Sequence, residues 1–327
     1  MIQKICDEVY QVKIPIPYDF GTVNSYLIEG KNGFTVVDTG DYTDAAIAVW
    51  GNVLGDGKFP IERVVLTHAH TDHIGLAGWF QQQYNVPVLM ADKSYEDMQK
   101  LRSNFHDGHY HDPHASFLEK HGWRIEANGA DEFHRFQAYQ FEPDELFSDG
   151  EKVLLGDRHY QAIWTPGHSP DHFCFYNKQT QTLVVGDHIL HAINPIVICT
   201  GEGQNPLRDY LLAMEKLRIC DAKTILPGHG ENFFDLPTRI EIMMAHYRKR
   251  WKQMVGAIAV AGSTALQVTE LVYGKNLPPE RAGAAFYQSI TNLVFLESCG
   301  VLQRKEIDEK VYFEKRAGKE YTKYLVD

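Results

Sequence analysis

Four metal-capable side chains lie within six consecutive positions of this chain, and this cluster constrains the fold more than any other feature. Residues 67–75 read Thr-His-Ala-His-Thr-Asp-His-Ile-Gly, and the metal-capable members are His68, His70, Asp72 and His73. The preceding run, residues 61–66, is rich in apolar and β-branched side chains and predicts a buried strand. The cluster therefore follows a strand end, which is where α/β proteins build their sites. Imidazoles beside a carboxylate are costly to bury without a cation, so the pattern predicts a metal site rather than a solvated polar loop.

Three further residues of the same chemical types occur later, each after a short apolar run. His168 follows residues 162–164, Asp187 follows residues 183–185, and His229 follows residues 224–226. Taken singly, a histidine after a glycine is more often a loop residue than a ligand. In this order, and after the first cluster, the set predicts strand ends that converge on one rim and hold two ions.

These motifs, together with Val37-Asp38-Thr39-Gly40 on an early strand, resemble the metallo-β-lactamase superfamily of dinuclear metal hydrolases over roughly residues 1–245. One small departure is Leu76, where many members have a second glycine after the cluster. The resemblance implies an α/β fold, a four-layer αβ/βα sandwich with the site along one edge of its paired sheets. The alternating short strands and helices of the chain fit that architecture.

The resemblance also assigns roles to the site residues. His68, His70 and His168 are expected to hold one divalent ion, and the other is expected to be held by Asp72, His73 and His229. Asp187 is expected to bridge the two ions beside a bridging hydroxide that attacks carbon or phosphorus. Zinc is the first choice of metal, and iron and manganese accept the same ligands. Asp72 is therefore counted as both ligand and catalytic residue. Asp38 is expected to orient the ligand loop by hydrogen bonds, the alternative being a plain Asp-Thr-Gly turn.

A polar group that meets the substrate is harder to predict. Lactone-hydrolysing relatives carry a tyrosine three residues after the bridging aspartate, and this chain has Leu190 there. His188 and His191 flank that position, and on an extended stretch their side chains would point in opposite directions. We select His191 as an auxiliary catalytic donor, with a structural histidine as the alternative.

The length of 327 residues allows two domains. We expect a catalytic domain over 1–245 and a small C-terminal helical domain over 246–327, after a long helix over 235–260. Helices over Ala265–Tyr273 and 280–297, with strands over 301–304 and 310–313, resemble a winged helix. A similar unit occurs on the superfamily branch that includes a β-lactamase-like endoribonuclease of animals.

Within the catalytic domain, residues 92–150 break the alternating pattern and predict a largely helical insert. Its aromatic residues fit either a lid over the substrate or a scaffold that holds the insert in place. Its histidine-rich run over 106–114 contains Gly108 and Pro113, which favours a loop over a second metal site.

Charge and cysteine content narrow the function. The net charge is −11, and residues 248–327 carry 13 Lys and Arg against 9 Asp and Glu, which leaves −15 on the remainder. An acidic body disfavours polyanions, so we expect hydrolysis of a small carboxylic ester, thioester or lactone. The alternatives are a phosphodiesterase or endoribonuclease, a di-iron redox protein and a binding module. Five scattered cysteines and a polar start indicate a cytoplasmic protein. We expect no membrane span, because no apolar run is long enough. Formation of a homodimer is one possible role of the C-terminal segment.

Overall fold

A computed structural model describes residues 2–17, 20–106, 109–110, 114–123 and 136–316. The chain forms two compact units. The first contains residues 1–111, 128–195 and 216–236, and the second contains residues 112–127, 196–215 and 237–327.

The first unit contains two large sheets. The seven-stranded sheet has the order β1-β2-β3-β4-β5-β6-β9. Its strands are β1 Ile2–Cys6, β2 Val9–Pro15, β3 Thr22–Glu29, β4 Phe34–Val37, β5 Ile61–Val65, β6 Val88–Ala91 and β9 Glu145–Phe147. The five-stranded sheet runs from β10 to β14 in chain order. Its strands are β10 Lys152–Leu155, β11 Arg158–Trp164, β12 Phe173–Asn177, β13 Thr182–Gly186 and β14 Thr224–Pro227. A short hairpin pairs β7 Phe105–His106 with β8 His109–Tyr110.

Strand direction brings the ligand-bearing loops to one edge. Strands β4, β5, β6 and β9 pair in parallel, and so do β13 and β14. The ends of parallel strands meet at one edge of a sheet, and that edge is the usual place for a site in an α/β protein.

The helices of the early part of the chain are α1 Asp44–Leu54, α2 Thr71–Ile74, α3 Ala77–Tyr84, α4 Asp92–Ser103 and α5 Ala115–Lys120. Helix α1 begins where the side chain of Thr43 accepts a hydrogen bond from the backbone N–H of Ala46. Its Trp50 and the Phe80 ring of α3 are fully buried in one cluster with Val36 and Val64. A layer of helices thus covers one face of the seven-stranded sheet.

The other face of that sheet packs on the five-stranded sheet. Val65 and Tyr26 of the first sheet share a buried cluster with Phe173, Phe175 and Leu226 of the second. Buried aromatic and branched side chains on facing sheets are the main source of stability in such a sandwich.

The later helices are α6 Pro206–Arg218, α7 Leu236–Ala257, α8 Ala265–Tyr273 and α9 Pro279–Ser298. They are followed by the antiparallel hairpin of β15 Leu302–Ile307 and β16 Lys310–Lys315. Within the second unit, Trp251 donates a hydrogen bond to Asn292 and stacks on Phe295. The three helices and the hairpin predicted for the C-terminal segment are present. The predicted boundary at 245/246 falls inside α7, whereas the compact units divide at Leu236 and Pro237.

The predicted insert over 92–150 is not a separate element. Residues 112–127 belong to the second unit, while the rest belong to the first. Its end forms β9, which extends the large sheet because the Asp144 carboxylate and backbone N–H bond to Val88. The predicted helical insert does contain helices α4 and α5, but it also contains strands that were not predicted, because a strand of two or three residues leaves no periodic pattern in the sequence.

Several aromatic residues of the insert pack against other parts of the chain, whereas Phe136 is exposed. Tyr139 and Phe141 are buried in the helix-covered core, and Trp123 stacks on Phe286 within the second unit. Residues 107–108, 111–113 and 124–135 lie outside the described residues, as do the side chains of 106, 109 and 110. The histidine-rich run falls largely there, and residues 124–135 of the insert do as well, so the lid stays a prediction.

No helix of the described part of the chain is both long enough and apolar enough to cross a membrane.

Candidate metal centre

All seven side chains predicted as ligands lie at one edge of the sandwich. His68 and His70 follow β5, and α2 carries Asp72 and His73. Each of the other three comes just after a strand of the second sheet. These are His168 after β11, Asp187 after β13 and His229 after β14.

The ligand atoms form two groups in the described structure. One group contains His68, His70, His168 and Asp187, and the other contains Asp72, His73 and His229, with the ligand atoms of each group within 4.8 Å of one another. Asp187 lies between the groups. Its Oδ2 is 3.4 Å from His168 Nε2 and 3.3 Å from His229 Nε2. The arrangement has the form that a bridging carboxylate requires.

Three histidines present Nε2 to this centre because Nδ1 is held from behind. His68 Nδ1 lies 2.9 Å from Thr67 Oγ1, and His229 Nδ1 lies 2.9 Å from the carbonyl oxygen of Thr22. His73 Nδ1 is 2.8 Å from Asp38 Oδ2. A partner behind the ring fixes the tautomer and leaves the other nitrogen for a metal. The remaining histidines face each other, with His70 Nδ1 3.1 Å from His168 Nε2.

Asp38 organises the first ligand loop from below. Its Oδ1 accepts a hydrogen bond of 2.8 Å from the backbone N–H of Thr67, and its Oδ2 accepts one of 2.8 Å from the Thr67 hydroxyl. The same Oδ2 contacts His73. Asp38 thus touches His73 directly and reaches His68 through Thr67, which is the orienting geometry expected of it.

The donor set fits divalent cations. His68 Nε2, His73 Nε2 and Asp187 Oδ1 are buried and have no hydrogen-bond partner among the described residues. Buried polar atoms are normally satisfied, so atoms left over at one point indicate a missing positive partner. Gly228 leaves room for that arrangement, because a Cβ there would overlap Asp187 Oδ1.

The pKa values of two histidines at the site also favour the binding of divalent cations. Burial opposes a charge on His229, yet Asp187 and Asp72 raise its pKa to about 10. Burial likewise opposes a charge on His73, but Asp187, Asp72 and Asp38 raise its pKa well above the usual range. The carboxylates therefore draw protons onto these two imidazoles. Divalent cations would replace those protons, since metal ligands bind in their deprotonated forms.

Aromatic side chains border the centre. The exposed ring of Phe20 stacks on His229 with centroids 4.6 Å apart. His191 stacks on Phe233 at 5.8 Å and is itself exposed, and it belongs to neither ligand group. His188 is fully buried. His191 thus follows Asp187 by four positions and lies outside both ligand groups of the described residues.

Sequence reasoning missed several residues that touch the ligand loops. Asp171 accepts a hydrogen bond from the backbone N–H of Ala69, and His172 accepts one from the backbone N–H of Asp187. Phe20 and Thr67 were missed as well. The only local signal for Asp171 and His172 is their position, just after the His168 loop and before an apolar strand.

Known proteins that resemble this chain include named hydrolases and a solved structure of the same fold. A "Probable metallo-hydrolase YqjP" of Bacillus subtilis is 25% identical over 323 residues, which cover 93% of this chain and 94% of that protein. An "Atrochrysone carboxyl ACP thioesterase" of Claviceps purpurea is 23% identical over 324 residues, covering 97% of this chain and 86% of the relative. The crystal structure of a β-lactamase domain protein from Burkholderia ambifaria superposes with a TM-score of 0.83 at 23% identity, over 96% of this chain and 93% of that one.

The family assignment rests on a broader match. The model of the metallo-β-lactamase superfamily matches residues 18–229, a span that contains every candidate ligand. The fold class predicted from the motifs is confirmed by the sheets, the helices and the Burkholderia structure. The chain belongs to the metallo-β-lactamase superfamily of hydrolases.

Proposed function

We propose that this protein hydrolyses a small carboxylic thioester or ester with the help of two divalent metal ions, zinc being the first choice. The observation that carries the proposal is the pair of ligand groups joined at Asp187. His68, His70 and His168 would hold one ion, Asp72, His73 and His229 the other, and Asp187 both. A curated relative named as an acyl-carrier-protein thioesterase supports the acyl substrate class.

The metal ions, when bound, would polarise a carbonyl oxygen and lower the pKa of water enough for attack near neutral pH. The chain's own residues prepare the site for that chemistry. Asp38 and Thr67 hold the rings of His73 and His68, so their Nε2 atoms are aimed before any ligand arrives. Asp72 lies 3.2 Å from His229 Nε2 and offers a carboxylate next to the reacting position.

The border of the centre fits an apolar acyl group. Phe20, which stacks on His229, is 42% exposed and so offers apolar surface to a substrate. Large exposed aromatic side chains beside a polar centre are typical of sites that bind partly apolar ligands. A lactone is a weaker candidate, because Leu190 is buried and its side chain has no group to donate to an oxyanion. His191 remains our choice of auxiliary donor.

The second candidate is a nuclease or phosphodiesterase, favoured by the C-terminal helices and hairpin. The charge of the chain argues against it, because residues 248–327 carry a net charge of only +4 and the remainder carries −15. Nucleic-acid binding normally requires a cluster of cations on one face. The acyl substrate therefore stays the first choice.

Two finer points belong to the same proposal. All five cysteines are free thiols, which supports the predicted cytoplasmic location. A homodimer stays a prediction, to be measured by light scattering.

The test compares substrates on metal-loaded protein. Protein prepared separately with zinc, manganese or iron is assayed for metal content and for turnover of an aryl ester, an acyl-coenzyme A, single-stranded RNA and bis(p-nitrophenyl) phosphate. We expect acyl turnover that a chelator removes and metal restores, with little dependence on salt. Efficient RNA cleavage with a steep salt dependence and no acyl turnover would establish the second candidate instead. Less than one metal per chain after loading would contradict the proposed centre.

A further inference from the structure

Asp171 and His172 are buried neighbours that belong to neither ligand group, yet each contacts the backbone of a ligand-bearing loop. Their side chains reach different loops. Asp171 Oδ2 accepts a hydrogen bond of 2.7 Å from Ala69 N, and His172 Nε2 accepts one of 3.1 Å from Asp187 N. We propose that this dipeptide is a positioning device that holds three ligand-bearing loops in register for metal binding. The proposal rests on the metal centre of the proposed function.

Asp171 connects the first two loops. Ala69 lies between His68 and His70, so fixing its amide fixes the direction in which both neighbouring side chains leave the backbone. The other carboxylate oxygen, Oδ1, accepts a hydrogen bond from the hydroxyl of Ser169, the residue after His168. One carboxylate therefore ties the loop of His68 and His70 to the loop of His168.

His172 connects the His168 loop to Asp187. Because Nε2 accepts the Asp187 amide, Nδ1 must carry the ring proton, and it lies 2.8 Å from the Thr165 hydroxyl. The backbone N–H of Thr165 in turn donates to the carbonyl oxygen of His172 at 2.9 Å. The loop that carries His168 is thus closed on itself and joined to the residue between the two ligand groups.

The backbone before Asp187 is shaped for this contact. Gly186 has a φ of +46°, and a Cβ there would lie 2.5 Å from His172 Nε2. Only glycine tolerates both the backbone conformation and the close approach of the ring. The sequence Gly186-Asp187 is therefore matched to the imidazole of His172.

A passive filling role does not account for these side chains. Asp171 is 1% exposed, and burial raises its pKa, so a charged carboxylate here carries a cost that a neutral residue would avoid. In return it satisfies the amide of Ala69 and the hydroxyl of Ser169. Groups that support metal ligands from behind typically contribute about 10- to 100-fold in metal affinity.

The experiment uses the full chain stripped of metal and measures zinc affinity by competition with a chromophoric chelator. Asp171→Ala and His172→Leu remove the acceptors, and we expect each to weaken zinc binding by about 10- to 100-fold. Asp171→Asn and His172→Gln keep an oxygen acceptor at the same place and should stay within about threefold of the original protein, a partial rescue. Thr35→Val is the matched control, because the buried Thr35 hydroxyl also accepts a backbone amide, that of Gly156, at a point that touches no ligand.

Two further readouts separate positioning from folding. Thermal unfolding of the metal-free proteins should show similar losses for Thr35→Val and the deleting variants. The visible spectrum of the cobalt-loaded protein should change only in the latter, because its bands depend on ligand geometry. If Asp171→Ala does not fold, the comparison of His172→Leu with His172→Gln decides the question. If His172→Leu does not fold, the comparison of Asp171→Ala with Asp171→Asn decides it. Zinc affinities that match the original protein, or that fall no further than in Thr35→Val, would overturn the inference. Absence of zinc binding by the unmutated protein would instead remove the proposed function.

Discussion

Gly228 is the residue at which the ligand set tolerates least change. It precedes His229, and a Cβ on it would overlap Asp187 Oδ1 and approach His73 Cε1 to 2.8 Å. Both neighbours are themselves held in place, so neither can move without leaving its group. The requirement for glycine at position 228 is steric, because the backbone there does not have a positive φ.

The first prediction concerns this glycine. Gly228→Ala should displace Asp187 and lower the metal content of the loaded protein, with hydrolysis falling in proportion. Gly51→Ala is the control, because a Cβ at Gly51 meets nothing within 4 Å and the residue lies inside helix α1. Alanine is a better helix former than glycine, so the control should be as stable as the original or slightly more. Metal analysis and thermal unfolding check both proteins. Full metal content in Gly228→Ala would show that the loop relaxes around the new methyl group.

Asp187 is the subject of the second prediction. Its pKa is held well below the usual range, because His229 and His73 outweigh the effect of burial. Asp187→Ala should remove the link between the groups, so metal content should fall to one ion per chain or fewer and turnover should fall to background. Elemental analysis after extensive loading is the measurement. Retention of two ions would mean that Asp187 is not shared.

Phe20 is the subject of the third prediction. Its exposed ring covers His229, and truncation would remove apolar surface from the border of the centre. Burying a whole phenylalanine side chain is worth about 1.5–3 kcal/mol, and Phe20 has 42% of its surface left to bury, so Phe20→Ala should raise KM for substrates with a larger acyl group by about 3- to 10-fold. Acetyl esters should be little affected, and metal content should be unchanged. Equal effects on short and long acyl chains would point to a disturbed His229 rather than a lost binding surface.

At the scale of single elements, the helices differ in how strongly their ends are determined. Helix α8 begins with a capping box, in which Thr264 and Gln267 each bond to the other's backbone N–H. Helix α5 is only six residues long and ends at Lys120, and the ring of the next residue, His121, lies 4.6 Å from the ring of Phe117 between centroids. The His121 side chain is buried and its Nε2 has no hydrogen-bond partner among the described residues.

The fourth prediction follows from that histidine. Burial, assisted by Arg304 and Lys120, lowers the pKa of His121 to about 4, whereas an unfolded histidine titrates near about 6.5. Between those values the unfolded chain binds the proton more tightly, so stability is lost as the pH falls from about 6.5 towards 4. The share due to His121 should be about 2 kcal/mol between pH 7 and pH 5.

Urea unfolding of metal-free protein at the two pH values provides the measurement. His121→Phe keeps a ring between its neighbours and should lose that part of the acid sensitivity, while other buried histidines still contribute theirs. The exposed His159, replaced by glutamine, serves as the control and should behave like the original protein. An unchanged pH dependence in His121→Phe would show that the ring is protonated in the folded state.

For the molecule as a whole, the second compact unit is assembled from three separate stretches of chain. Thr291 on α9 accepts a hydrogen bond from the backbone N–H of Cys199 and donates one to the carbonyl oxygen of Val197. Phe286, Ile290 and Leu293 of the same helix are fully buried. Helix α9 is thus part of the core of this unit and not an appended module.

The fifth prediction is that the C-terminal segment cannot be removed cleanly. Deleting residues 262–327 should leave Trp251 and residues 196–215 without their partners, so the truncated protein should aggregate or lose fixed packing in near-ultraviolet circular dichroism. A chain that ends after Arg316 keeps every contact described above and is the control. A soluble, fully active truncated enzyme would show that the second unit is dispensable. For this reason point substitutions, rather than truncation, should test any role in nucleic-acid binding.

The local pattern of the chain determined much of this architecture. Helix α8 matches the predicted span Ala265–Tyr273, because apolar spacing and capping residues act over a few positions. The family and the fold class followed from ligand motifs at strand ends, and both are confirmed. The seven candidate ligands could be predicted because histidine and aspartate have few other roles just after buried strands. Their binding of metal stays a prediction.

Tertiary structure alone decided the features that depend on residues far apart in the chain. Nothing in the local sequence indicates that Asp171 meets Ala69, 102 positions away, or that Phe20 covers His229. The three-residue strand β9 and the three-part second unit also depend on residues that are far apart in the chain. Hydrophobic periodicity reports which face of an element is buried, but not which distant element buries it. That choice is made by packing and by the pairing of buried polar groups, which only the folded chain brings together.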